Sequence, residues 1–150
     1  MMKFIADLLF PRRRLSELEL LILNAVRARL EPDVQPLWDK QVASINRVER
    51  LQEGVEADFF RMRGGKVFHD PEIAFPNRTK ELHLAAVAVS TMSYVLKAEV
   101  WSVGGHLFCI EYSGGAGYFE EALGMNPLPD FDVQCALLAD ISSRTGLADE

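Results

Sequence analysis

Cysteine is scarce in this chain, with two thiols in 150 residues. Cys109 and Cys135 match neither a CxxC nor a Cys/His spacing, which argues against structural zinc and against a disulfide framework. Buried thiols in a reducing cytoplasm are the expected state. Long apolar runs are missing too: none approaches the roughly 18 residues that cross a bilayer, so no membrane span is expected. Nucleotide signatures are absent. The glycine-rich Ser113-Gly114-Gly115-Ala116-Gly117 lacks the GxxxxGK[ST] pattern, and Glu120 and Glu121 follow where a bound anion needs positive potential. It reads as an exit loop or a lid over one edge of a sheet. No GxSxG elbow activates a serine. His69-Asp70-Pro71-Glu72 has no established ligand spacing and reads as a surface turn. Neither a metal nor a cofactor is expected.

What is present is the composition of one globular domain. Hydrophobic residues make up 49% and charged residues 25%, and a chain of this length buries roughly two thirds of its unfolded surface. Charge is divided unevenly. Lys3, Arg12, Arg13 and Arg14 against Asp7 give residues 1–14 a charge of +3, which leaves −9 for residues 15–150 out of the total of −6. The expected organisation is an N-terminal basic and apolar segment, 1–14, followed by a single domain, 15–150. Within the segment, Ile5, Leu8 and Leu9 share a helical face ahead of Arg12, Arg13 and Arg14. That arrangement suits contact with a partner, peripheral contact with an anionic membrane surface, or packing on the domain itself. The acidic body argues against nucleic acid, whose phosphates call for concentrated positive charge.

Helical periodicity opens the domain. Leu18, Leu21, Ile22, Ala25 and Val26 recur at three and four residues, Ser16 caps, Glu17 and Glu19 suit the positive end, and Arg27 and Arg29 suit the negative end. Pro32 stops this helix, and a second one carrying Leu37, Trp38 and Val42 is predicted after Asp33. Strand-like alternation follows, with residues 45–51 and VEADFFRMR reading as a hairpin around Gly54, while Ile45, Val48 and Leu51 also fit a helical repeat. Gly64-Gly65 turns the chain again, and 69–78 is a loop. Leu82–Ser90 is apolar on both faces and reads as a buried strand or as the start of a helix capped at Thr79, with Val87, Val89, Thr91, Tyr94 and Val95 favouring the strand. Past Asn126–Pro129, Asp130 is expected to cap a terminal helix on Val133, Leu137, Leu138 and Ile141. The fold class predicted is α+β: N-terminal helices packed on an antiparallel meander of five to six strands, with a short C-terminal helix.

The most informative stretch is 94–112, where both sides of Gly104-Gly105 alternate. A two-residue loop carried through would put Lys97 and Glu99 on the side of Phe108, Ile110 and Tyr112. A three-residue loop of Gly104, Gly105 and His106 instead gathers Leu96, Ala98 and Val100 with Phe108, Ile110 and Tyr112 on one apolar face, and is the expected arrangement. The opposite face then carries Lys97, Glu99, Trp101 and Val103 against Leu107, Cys109 and Glu111, with Glu99 directly facing Glu111. Facing like charges are unfavourable unless Lys97, an arginine of the first hairpin, a cation or a retained proton compensates.

Two functional expectations follow. The first is a protein-interaction module that binds a partner through its acidic surface. The second is a small-ligand-binding protein or enzyme with a pocket between helices and sheet, using the paired carboxylates Glu99 and Glu111 with His83 as candidate catalytic groups and Trp101 and Trp38 as candidate pocket walls. His83 lies on a mainly apolar strand, where a satisfied buried imidazole is the ordinary state. Exposed strand edges leave a homodimer open.

Overall fold

The computed structural model describes residues 15–51, 54–114, 116–125 and 129–144. Helix α1 (Glu17–Arg29) begins at a reciprocal cap. The Ser16 hydroxyl accepts from the Glu19 amide at 3.1 Å while the Ser16 amide donates to Glu19 Oε1 at 2.7 Å. Two donors that the first turn cannot satisfy are thereby paired. Leu18, Ile22, Leu23 and Val26 form its buried stripe. Helix α2 (Gln35–Ser44) carries a proline in its first turn and buries Trp38 and Gln41.

The strands follow in the order β1 (Arg47–Arg50), β2 (Glu56–Phe60), β3 (Met62–Arg63), β4 (Lys66–Val67), β5 (Leu82–Ser90), β6 (Val95–Val103), β7 (His106–Tyr112) and, after the short helix α3 (Gly117–Ala122), β8 (Asp132–Leu137). Strands β3 and β4 form a two-stranded ladder of their own. The remaining six make one sheet in the order β1-β2-β7-β6-β5-β8, antiparallel throughout. The class is therefore α+β, with two N-terminal helices, a six-stranded antiparallel sheet and a short helix late in the chain.

One layer of core lies between helices and sheet. Leu18, Ile22 and Val26 from α1 and Trp38 from α2 pack with Val48, Phe59, Val100 and Ile110, and Trp38 stacks on Phe75 at 6.0 Å. Inside this layer sits a polar knot that ties α2 to the β6–β7 hairpin. The Gln41 amide donates to the carbonyls of Ile73 (2.7 Å) and Gly105 (2.9 Å), and its oxygen accepts from the Leu107 amide (2.9 Å) and from Arg61 (3.0 Å). Arg61 also donates to the Leu107 and Gln41 carbonyls and to Ser44 Oγ, at 2.7, 3.1 and 2.8 Å. Burial lowers its pKa to about 10.

Three expectations are corrected. The segment after Asp130 is strand β8, not a helix: Val133, Cys135 and Leu137 alternate with Asp132, Gln134 and Ala136, and the chain fills the open edge beside β5. The hairpin loop has two residues instead of three. Gly104 and Gly105 take φ of +57° and +88°, the left-handed pair that a tight hairpin turn demands, and Val103 faces His106 across it. The extra residue sits farther along as a bulge at Phe108, between the Ser102–Leu107 and Trp101–Cys109 pairs. Leu107 therefore joins the core and Phe108 turns to the other face, edge-on to Phe60 at 5.8 Å. Beyond the bulge the register is the expected one, with Val100 opposite Ile110 and Glu99 opposite Glu111. Finally, His83 is not a buried imidazole, since its side chain is 35% exposed on the outer face.

Candidate functional site

Strand alternation decides which side chains meet on the sheet face away from α1 and α2. Because Val48, Ala57, Phe59, Val100 and Ile110 point into the core, their neighbours along each strand point outward. Cross-strand register then assembles two rows. The first runs Glu49, Asp58, Cys109, Trp101, His83, and the second runs Glu56, Glu111, Glu99, Ala86. Five carboxylates from four strands thus share one face.

Their compensation is uneven. Arg47 reaches Glu49 at 2.6 Å along its own strand, and His83 Nε2 lies 2.5 Å from Glu99 Oε2 while its ring stacks on Trp101 at 4.5 Å. Glu56, Asp58 and Glu111 have no cationic partner among the described residues, and Lys97 forms no ion pair there. Asp58 Oδ1 and Trp101 Nε1 are buried without a hydrogen-bond partner. Burial first, then the hydrogen bond and charge of Glu56 and the charges of Glu49 and Glu111, push the Asp58 carboxyl up to about 7. Burial first, then the charges of Asp58, Glu56 and Glu111, push the Cys109 thiol up to about 12.

Sequence reasoning brings Glu99, Glu111, Trp101 and Cys109 onto one face, and the structure adds His83 to them. Glu99 and Glu111 do not line a pocket between helices and sheet, because the described helices pack on the other face. Trp38 is a core residue with 1% exposure, remote in role from Trp101. A cavity of about 220 Å³ opens elsewhere, lined by Ser44, Asn46, Arg61, Met62, Phe68 and Ile73. Ile5, Leu8, Leu9, Arg12, Arg13 and Arg14 lie outside the described residues.

Glu49, Glu56 and Asp58 were not singled out by sequence. Their signal is the i, i+2 spacing of Glu56 and Asp58 on one strand of a predicted hairpin and Glu49 on the other, yet nothing local says that β2 pairs with β7, some fifty residues later. Among the described residues no helix is long and apolar enough to cross a membrane. No protein-family model matches the chain, and no curated protein or solved structure is significantly similar to it.

Proposed function

We propose that the chain is a protein-interaction module that binds a basic segment of a partner protein through the outer face of its sheet. The observation that supports this most is the set Glu56, Asp58 and Glu111, adjacent carboxylates without a cation of their own among the described residues. Like charges on neighbouring strands cost stability, and surfaces that serve binding commonly carry such a cost. Lysine or arginine side chains of a partner would remove it on docking, and the negative field speeds their approach. The partner is a basic segment and not this face of a second copy, because two acidic faces repel. The reading sets the module in the cytoplasm, where reducing conditions keep Cys109 and Cys135 as thiols.

Fluorescence anisotropy with a lysine- and arginine-rich peptide, against a matched acidic one, tests the reading. Binding should weaken with salt. The double variant Glu56→Gln/Glu111→Gln should bind about tenfold more weakly, roughly 1.4 kcal/mol for two lost charge contacts. Equal binding by the double variant, or an equal loss on neutralising the exposed Glu31 and Glu72, would count decisively against this face.

A further inference from the structure

The acidic face contains a second arrangement that a basic peptide does not explain. Glu56 and Asp58 on β2 and Cys109 on β7 bring one carboxylate oxygen each and the thiol sulfur within 4.8 Å of one another. Cys109 is 6% exposed, its thiol takes part in none of the side-chain hydrogen bonds found among the described residues, and its sulfur converges on the carboxylates. Asp58 Oδ1 is likewise buried and unpartnered. A peptide ammonium or guanidinium approaching from solvent satisfies exposed carboxylates but gains little from a sulfur beneath them.

We infer that Glu56, Asp58 and Cys109 form a binding site for a thiophilic divalent cation of the zinc class. Metal–sulfur and metal–oxygen bonds of about 2.3 and 2.0–2.2 Å place tetrahedral ligand atoms roughly 3.5 Å apart. Closing the remaining distance asks for rotation about the side-chain torsions of Glu56 and Asp58, which carry the two carboxylate ligands. Three protein ligands leave a fourth position for water, or for Glu111, which faces Glu56 across the β2–β7 ladder. Calcium and magnesium select all-oxygen sets, so the sulfur discriminates against them. Coordination replaces the S–H bond of Cys109 with a metal–sulfur bond, and the proton leaves to solvent. A bound dication is the strongest local charge available to draw that proton off. Two carboxylates and a thiolate against the dication leave the site at −1, so the face stays acidic.

This inference goes beyond the partner reading and stands apart from it, because Cys109→Ser removes the sulfur and keeps all five carboxylates. Cobalt(II) titrated into the chelator-stripped full chain is the probe. The expected result is a near-ultraviolet sulfur-to-cobalt charge-transfer band saturating at one ion per chain, displaced by zinc, with a rise in Tm that EDTA reverses. Cys109→Ser should abolish the band, Cys135→Ser should leave it, and Glu56→Gln should weaken binding at least tenfold with the band still present at high cobalt. Absence of the band in the parent chain would overturn the site, as would its survival in Cys109→Ser or equal Tm rises with calcium and zinc. With EDTA present, peptide binding by Cys109→Ser should match that of the parent, so the two proposals fail separately.

Discussion

Replacing Asp58 with asparagine should make the metal-free protein more stable, although it removes a charged and partly buried side chain. The reason is its company. A carboxylate oxygen of Asp58 lies within 4.8 Å of one from Glu56, while Glu49 faces Asp58 across the β1–β2 ladder and Glu111 sits on the next strand. Two unit charges at that distance repel by about 0.9 kcal/mol in a water-like dielectric. The dry-interior figure is only an upper bound and does not apply, because Asp58 is partly buried beside solvent on an outer sheet face. Asp58→Asn should therefore gain about 1 kcal/mol at pH 8, or roughly 2–4 °C in Tm for a chain of this size.

The pH dependence carries the sign. Burial and Glu56 hold the folded Asp58 near 7, against an ordinary value of 3.8. Between about pH 4 and pH 7 the folded parent thus binds more protons than its unfolded chain, and its stability falls as pH rises through that window. The asparagine variant lacks this slope, so the two stability curves should meet below about pH 4 and part above it. Urea unfolding at pH 4, 6 and 8 with EDTA present measures both, provided the m-values agree. A variant less stable than the parent at pH 8, or a difference that ignores pH, would refute the account of the face as electrostatically loaded.

Two further outcomes concern the scaffold that presents the site. A Cβ on Gly105 would meet the Phe75 carbonyl oxygen at 3.0 Å at a φ of +88°, whereas one on Gly104, at +57°, meets nothing within 4 Å. Gly104→Ala should cost about 1 kcal/mol from its backbone alone, and Gly105→Ala about 2–4 kcal/mol, with overpacking added. Equal losses in urea unfolding would show that the close approach to Phe75 does not matter. Gln41→Leu leaves the Leu107 amide and the Ile73 carbonyl without the partner each now has, while the Gly105 carbonyl keeps the Phe75 amide at 2.7 Å. It should cost at least about 2 kcal/mol, since each of the two buried orphans costs about 1–3 kcal/mol, and a loss under 1 kcal/mol would contradict the knot.

Local signals carried far in this chain where they were strong and agreed with one another. Ser16, the acids after it and the repeat of Leu18, Ile22 and Val26 specify α1 because a helix closes its hydrogen bonds within itself. Alternation around Gly104-Gly105 specifies a hairpin, and the demand for one apolar face specifies that Glu99 opposes Glu111. It does not say where the odd residue goes. A bulge at Phe108 and a three-residue loop give the same register beyond them. What separates them is the fit of Gly105 against Phe75 and of Leu107 against Gln41 and Arg61, contacts with distant segments.

The same division runs through β8 and the acidic face. Val133, Cys135 and Leu137 alternate, yet a helical repeat was also readable in Val133, Leu137 and Ile141, and the free edge of β5 decided for the strand. The sequence by itself determined that Glu56 and Asp58 stand two apart in a strand-like run, that Cys109 shares the side of Glu99 and Glu111 in the 94–112 hairpin, and that the body is acidic. Only the tertiary structure decided that β2 lies against β7, placing Glu56 and Asp58 beside Cys109 and Glu111. The physical reason is that strand pairing spends its hydrogen bonds between segments remote in sequence, so the residues that come to share a site carry no mark of one another in the chain.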